Sequence, residues 1–309
     1  MTTLTERPAR VLLVFLDGVG IGPDDPEANP LVRARARIPA LQNLTGGSTP
    51  TLARPRAEGP LGRAFPLTAT LGVPGTPQSG TGQAALLTGE NAAALFGRHF
   101  GPWTPVALRP LVEERSVLRA AADAGRTVAF ANAYPRGWPG PNGGRRLAGP
   151  PLAARGAGVL DRHEEALAEG TAVASEITND GWRERLGHAR VPRVTPEEAG
   201  ANLARIARTA DLTLYAHYAT DAAGHRRDMA AAVEALVRVD RLLAGLLAEL
   251  SADTLLLVAS DHGNLEDVRG GHTTNPALGI AAGPGAGDAA RLADIRDVAW
   301  FLLEALAAA

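Results

Sequence analysis

Four short runs of mostly apolar residues constrain the fold of this chain more than any other feature. They cover 11–16, 127–131, 212–216 and 254–259, and each has the length of one β-strand. Apolar residues occupy consecutive positions in these runs rather than alternate ones, as in strands that are buried on both faces of a parallel sheet. Helical patterns separate the runs. This alternation predicts an α/β fold with a doubly wound, mostly parallel sheet and helices on both faces.

Hydrophobic periodicity and capping residues predict the helices. They cover 105–124, 195–210, 228–250 and 294–307. The second helix has the clearest start, because Thr195 is followed by Pro196 and then by Glu198, the pattern of a capping box with proline in the first turn.

One part of the chain breaks the alternation of strands and helices. Residues 135–192 are rich in Gly, Pro and Arg and have weak periodicity. We therefore predict a discontinuous core of residues 1–134 and 193–309. Residues 135–192 form a small insertion, either a cap over the functional site or an ordered loop region.

The composition excludes several classes of protein. The chain has 31 basic and 33 acidic side chains, so it lacks the basic surplus of a nucleic-acid-binding protein. The absence of cysteine excludes disulfides, thiolate zinc sites, iron–sulfur clusters and a cysteine nucleophile. There is no signal-peptide pattern, and no run reaches the ~18–20 apolar residues of a membrane span. We expect a cytoplasmic protein that binds neither nucleic acid nor membranes.

Three of the predicted strands are followed by an aspartate. Asp17 follows the first run, Asp221 lies shortly after the third, and Asp261 follows the fourth. Ligands of parallel sheets bind beyond the carboxyl ends of the strands. Three carboxylates at one such edge repel one another unless a cation lies between them.

Histidines accompany these aspartates. His225 lies four residues after Asp221, His262 directly follows Asp261, and His272 comes ten residues later. Carboxylate and imidazole ligands without cysteine suit zinc, manganese or iron.

The segment 77–83, Pro-Gln-Ser-Gly-Thr-Gly-Gln, precedes an apolar helical run. It places the Ser79 hydroxyl at a helix N-terminus, where backbone N–H groups and the helix dipole favour an anion. Ser79 is either the N-cap of this helix or a nucleophile. A metal ion beside the hydroxyl would favour the second role.

Together these residues resemble the alkaline phosphatase superfamily. The set comprises Asp17, Ser79, Asp221-x-x-x-His225, Asp261-His262-Gly263-Asn264 and His272-Thr-Thr-Asn-Pro276. It is most similar to the branch that holds cofactor-independent phosphoglycerate mutase and phosphopentomutase. The resemblance implies two divalent metal ions, manganese or zinc. It implies that Asp221, His225 and His272 hold one ion, and that Asp17, Asp261 and His262 hold the other. Ser79 would be a further ligand of the second ion and the residue that becomes phosphorylated.

The chain departs from the phosphoglycerate mutases near the site. Phosphoglycerate mutases of this branch have a histidine where this chain has Gln83, and a lysine near the metals, whereas all 31 basic residues here are arginine. The resemblance therefore implies phosphoryl transfer from a small phosphomonoester, by a phosphatase or a phosphomutase. The alternative is a non-catalytic metal- or phosphate-binding relative.

The basic side chain that binds a substrate phosphate must be an arginine, since the chain has no lysine. The candidates are Arg98, Arg136, Arg145 and Arg146. The sequence does not indicate the oligomeric state.

Overall fold

The computed structural model describes residues 6–140, 144 and 146–307, and within them seven strands form one sheet. The strands are β1 (Arg10–Leu16), β2 (Ala57–Glu58), β3 (Gly62–Leu67), β4 (Val128–Phe130), β5 (Leu212–His217), β6 (Thr254–Ala259) and β7 (Ala277–Ala282). Their order across the sheet is β2-β3-β7-β6-β1-β5-β4. The four strands predicted from apolar runs are confirmed as β1, β4, β5 and β6.

The sheet has a parallel part and an antiparallel part. β4, β5, β1 and β6 are parallel neighbours, and β1 lies at their centre, where Leu13 pairs with Leu214 and Leu257. β7, β3 and β2 extend the sheet beyond β6 with antiparallel pairing. The apolar runs do not predict these three strands, because Gly279 interrupts β7 and Pro66 interrupts β3. Since β2 pairs only with the first half of β3, Pro66 lies where β3 is an edge strand, a position that tolerates proline.

Helices pack on both faces of the sheet. In the described part of the chain they are α1 (Pro30–Arg33), α2 (Pro39–Leu44), α3 (Ser79–Thr88), α4 (Ala92–Phe96), α5 (Arg109–Arg115), α6 (Val117–Asp123), α7 (Gly149–Gly156), α8 (Glu164–Ala168), α9 (Asp180–Glu184), α10 (Pro196–Ala207), α11 (Ala219–His225), α12 (Met229–Glu249), α13 (Ala286–Ala289) and α14 (Asp297–Ala307). Among these residues, no helix combines the length and the apolar content that a bilayer crossing requires.

The side chains of β1 alternate between two hydrophobic layers. Leu13 and Phe15 belong to the layer that contains α3, α5, α6, α7 and α14. Leu12 and Val14 belong to the layer that contains α1, α2, α10 and α12. Because both faces are buried, every position of the strand after Arg10 is apolar, which is the reason for the consecutive pattern in the sequence. The predicted doubly wound architecture is confirmed.

The prediction of one continuous helix over 105–124 is wrong, because this segment contains two separate helices, α5 and α6. Between them Ser116 has an extended backbone, with φ −66° and ψ 157°, and its side chain accepts a hydrogen bond from the N–H of Arg119. Serine is a favourable N-cap, so it starts a new helix within a segment whose apolar spacing is continuous. The capping box at Thr195 and Glu198 is present as predicted.

Residues 135–192 include α7, α8 and α9. Leu152 of α7 is buried in the same layer as Leu86 of α3. Leu167 and Trp182 belong to a separate small cluster. The division of the chain into a core and an insertion stays a prediction.

Candidate metal centre

Six predicted ligands lie at the edge of the sheet where the parallel strands end. They are Asp17, Asp221, His225, Asp261, His262 and His272. The first follows β1, the next two lie on α11 after β5, and the following two come directly after β6. Because β5, β1 and β6 are adjacent and parallel, their carboxyl ends bring these segments together. His272 joins them from the loop before β7.

The first group consists of Asp221, His225 and His272, whose candidate ligand atoms all lie within 4.8 Å of one another. Nε2 of His225 lies 3.2 Å from Asp221 Oδ2, and the two imidazole Nε2 atoms face each other at 3.1 Å. Nδ1 of His272 lies 2.9 Å from the carbonyl oxygen of Pro77. A proton on Nδ1 satisfies that contact and leaves Nε2 facing the group, as in histidine ligands of metals.

The second group consists of Asp17, Asp261 and His262, and all three are buried. Nε2 of His262 lies 3.3 Å from Asp17 Oδ1 and 3.6 Å from Asp261 Oδ2. The N–H of Gly18 donates to Asp261 Oδ1, whereas Asp261 Oδ2 has no hydrogen-bond partner among the described residues. A buried carboxylate oxygen without a donor is unfavourable, and a cation would satisfy it.

The pKa shifts of the second group also favour a bound cation. Burial raises the pKa of Asp261 well above its ordinary value, and the charge of Asp17 adds to this shift. Burial lowers the pKa of His262, but the charges of Asp261 and Asp17 outweigh it and raise this pKa to about 10. Both shifts reflect buried negative charge, which a bound cation would offset. Both groups therefore fit divalent metal ions that accept oxygen and nitrogen ligands.

Ser79 is the first residue of α3, and the N-cap is Gln78. The Ser79 hydroxyl does not cap the helix but points into the second group. Its Oγ lies 2.9 Å from His262 Nε2 and donates to Asp17 Oδ1 at 3.4 Å. The nucleophile predicted from the sequence is thus brought against two of the predicted metal ligands.

The other hydroxyl in the first turn of α3 points elsewhere. Oγ1 of Thr81 accepts a hydrogen bond from the N–H of Phe100 at 3.2 Å. The loop that carries Phe100 comes close because residue 80 is glycine, where a Cβ would lie 2.2 Å from the carbonyl oxygen of Trp103. Thr81 therefore has a structural contact with this loop, and Ser79 faces the metal groups.

Gln83, the departure from the mutase pattern, contacts the site directly. Its Nε2 donates to Asp17 Oδ2 at 2.9 Å, and its Oε1 accepts from the N–H of Gly149, the first residue of α7, at 2.9 Å. The side chain thus connects a candidate ligand to the start of α7.

Glu266 is a buried carboxylate that sequence reasoning missed. Its Oε2 accepts hydrogen bonds from the N–H groups of Gly20 and Asn264 at 3.1 and 2.7 Å. Its Oε1 accepts from the Thr273 hydroxyl and the Asn275 side-chain amide. Glu266 therefore holds together the loops that follow β1 and β6 and the loop that precedes β7. Nothing in the sequence distinguishes it from a surface glutamate.

A cavity of about 380 Å³ lies beside Ser79. It is lined by Asp17, Ser79, Gln83, Pro102, Trp103, Tyr134, Trp138, Arg146, Ala148, Pro151, Ser175, Tyr218, Asp221 and Ala222. The lining combines candidate ligands with aromatic and proline side chains, and the volume suits a small molecule.

The four candidate substrate arginines have different positions. Arg146 lines the cavity. The guanidinium of Arg98 lies over the rings of Phe96 and Phe100, and Arg136 pairs with Glu165 at 2.8 Å. Neither Arg98 nor Arg136 lines the cavity, and Arg145 lies outside the described residues.

Comparisons with known proteins relate the chain to alkaline phosphatases in its fold and, over part of its length, to a superfamily of metalloenzymes. Residues 192–300 match the family model described as the Metalloenzyme superfamily. The PH0037 protein from Pyrococcus horikoshii has a TM-score of 0.59 at 14% identity, with 100% of this chain and 98% of that chain covered. The alkaline phosphatase from the Antarctic bacterium TAB5 has a TM-score of 0.54 at 12% identity, with 99% of both chains covered. At these identities the structural matches establish the fold.

Two curated relatives are similar to part of the chain. A 2,3-bisphosphoglycerate-independent phosphoglycerate mutase of Halobacterium salinarum is 36% identical over 96 residues, which are 28% of this chain and 19% of that protein. A phosphopentomutase of Deinococcus radiodurans is 43% identical over 88 residues, 28% of this chain and 23% of that protein. The matches thus span about a fifth of the relatives' length. They confirm the resemblance to the alkaline phosphatase superfamily and to its mutase branch.

Proposed function

We propose that this protein transfers the phosphoryl group of a small phosphomonoester through a covalent phospho-Ser79 intermediate, with two divalent metal ions bound. The observation that carries the proposal is the position of the Ser79 hydroxyl, 2.9 Å from His262 Nε2 and 3.4 Å from Asp17 Oδ1. A serine used only as a helix cap would instead accept a hydrogen bond from the first turn of its own helix.

Each group of side chains has a separate role in this proposal. Asp221, His225 and His272 would hold one metal ion, and the group of Asp17, Asp261 and His262 would hold the other. Bound divalent ions supply charge stabilisation for the phosphate oxygens and lower the pKa of a neighbouring hydroxyl. Manganese and zinc both suit the donor set.

The chain itself positions the nucleophile and the phosphate. The start of α3 fixes the Ser79 oxygen, and its backbone N–H groups favour a negatively charged phosphate at this end of the helix. Arg146, which lines the cavity, is the candidate that reaches a phosphate oxygen from the open side.

In the first step the Ser79 oxygen attacks the phosphorus atom as its proton departs. The bond between phosphorus and the ester oxygen breaks, and the alcohol leaves with a proton. In the second step phospho-Ser79 is attacked by water or by a hydroxyl of the same alcohol. Attack by water makes the protein a phosphatase, and return to another hydroxyl makes it a mutase. Both reactions fit this site.

The test is a search for the phosphoenzyme. Purified protein with added manganese or zinc is mixed with p-nitrophenyl phosphate, quenched rapidly with acid and digested for peptide mass spectrometry. We expect phosphate on Ser79, and we expect Ser79→Ala to lower turnover about 10³-fold or more.

The matched control is Thr81→Ala, two residues along the same helix. Its hydroxyl contacts the loop at Phe100, so the variant should turn over substrate at close to the wild-type rate. Phosphate found on Thr81, or an active Ser79→Ala protein, would overturn the assignment of the nucleophile. Metal binding without any turnover would favour the alternative, a non-catalytic metal- or phosphate-binding relative.

A further inference from the structure

Four aromatic side chains line the same cavity as Ser79 and Asp17. They are Trp103, Tyr134, Trp138 and Tyr218, which we name the aromatic wall. They come from three separate segments of the chain, namely the loop after α4, the segment after β4 and the start of α11. None of them belongs to the candidate metal groups, so the proposed phosphoryl transfer does not account for them.

Tryptophan and tyrosine are rare in this chain, and the aromatic wall contains most of them. The whole chain contains 4 tryptophans and 3 tyrosines in 309 residues. Two of these tryptophans and two of these tyrosines line this one cavity. Rings concentrated at a ligand cavity indicate contact with an apolar surface of the ligand.

Packing holds three members of the aromatic wall, Tyr134, Trp138 and Tyr218, in place. The ring centroids of Tyr134 and Trp138 lie 4.7 Å apart in an edge-on arrangement, and Phe130 stacks on Tyr134 from the core at 6.0 Å. Tyr218 packs edge-on against the buried Phe15 at 6.2 Å. Burial raises the pKa of Tyr134 to about 12, so its phenol is neutral beside a phosphate. A wall held in this way presents a preformed surface to a flat ligand group.

The charges of the cavity favour a ligand with one anionic group. Arg146 is the only cationic side chain in the described lining, and it has no acidic partner among the described residues. A phosphate that contacts Arg146 and the metal groups leaves no other cationic side chain of the described lining for a second anionic group. The rest of the ligand then faces aromatic rings and two prolines, which favour an uncharged partner.

Building on the proposed function, we propose that the aromatic wall binds the alcohol part of the phosphomonoester, and that this alcohol carries an uncharged ring. The ring would lie against Trp103 or Trp138 while the phosphate occupies the Ser79 end of the cavity. The volume of about 380 Å³ limits the alcohol to a small ring system.

The experiment compares benzyl phosphate with butyl phosphate. Both are esters of primary alcohols, so the two leaving groups have similar basicity and the comparison isolates recognition of the ring. We expect kcat/KM to be about tenfold higher for benzyl phosphate, as ring stacking allows. The same preference should appear without catalysis, as tighter binding of benzylphosphonate than of butylphosphonate in a titration of tryptophan fluorescence.

Two variants locate the preference. Trp138→Ala and Trp103→Ala should each reduce it, and Trp103 is 38% exposed, so its variant should fold even if the other does not. The matched control is Trp300→Ala, because Trp300 is 56% exposed and lies outside this cavity. It should keep the full preference for the ring.

The outcomes separate the two proposals. Equal turnover of both esters by the wild-type protein overturns the ring proposal and leaves the phosphoryl transfer intact. Absence of turnover together with tighter benzylphosphonate binding supports the ring proposal and counts against the proposed function. A ring preference that survives both Trp103→Ala and Trp138→Ala shows that another surface binds the ring and overturns the assignment to the aromatic wall.

Discussion

Replacing Glu266 tests how the loops that carry the candidate ligands are held together. Two kinds of donor contact its carboxylate. Oε2 accepts from the backbone N–H groups of Gly20 and Asn264, which cannot turn away. Oε1 accepts from the hydroxyl of Thr273 and the side-chain amide of Asn275, which can rotate to offer an acceptor instead. A donor group can therefore replace Oε1, whereas an acceptor must remain at the position of Oε2.

This difference sets the expected magnitudes. Glu266→Met keeps most of the side-chain volume but leaves two buried backbone N–H groups without an acceptor. Each such group costs about 1–3 kcal/mol, so we expect the free energy of unfolding to fall by about 2–6 kcal/mol. Glu266→Gln keeps one oxygen for the backbone N–H groups and turns its amide toward Thr273 and Asn275. We expect this variant to lose only about 1–2 kcal/mol.

The assay is urea unfolding of both variants with a chelator present, so that no metal ion contributes to stability. Asn264 also donates a hydrogen bond of 2.6 Å to Asp221 Oδ1. Glu266→Met should therefore weaken metal binding as well, measured by competition with a coloured chelator. The reasoning is refuted if Glu266→Met unfolds with nearly wild-type stability, or if Glu266→Gln is as damaging as Glu266→Met.

Two further predictions concern the metal ions. Asp221→Ala and His272→Ala should each remove one ion. Loss of a group that only hydrogen-bonds a metal ligand lowers metal affinity ~10–100-fold, so loss of a ligand should lower it at least as much. Metal analysis checks this, and full occupancy with normal turnover would contradict the ligand set. Metal affinity should rise with pH up to about 10, because the ion must displace a proton from His262. Burial lowers the pKa of His262, but the charges of Asp261 and Asp17 raise it to about 10. Calorimetry in buffers of different ionisation heat should detect the released proton, and a pH-independent affinity would refute this explanation.

The convergence of the candidate ligands can be predicted from the sequence because it follows from sheet topology. Consecutive apolar residues identify the parallel strands, and a residue just past such a strand must lie at the carboxyl edge of the sheet. That rule places Asp17, Asp221 and Asp261 at one edge before any coordinates are known, and the structure brings them there. It does not depend on the antiparallel strands β2, β3 and β7, which the apolar runs do not reveal.

No comparable rule predicts the positions of Glu266 and the aromatic wall from the sequence. The carboxylate of Glu266 is buried because donors from three different loops meet at one point, and no local pattern in the sequence encodes such a meeting. Trp103 and Trp138 likewise come from loops without periodic spacing, and only the scarcity of aromatic residues marks them as unusual. Loop positions of this kind depend on side-chain packing and not on strand order, so relatives can keep the same metal ligands while their loops recognise different alcohols. The candidate metal ligands alone therefore support only the proposed class of reaction, and the substrate must be argued from the loops.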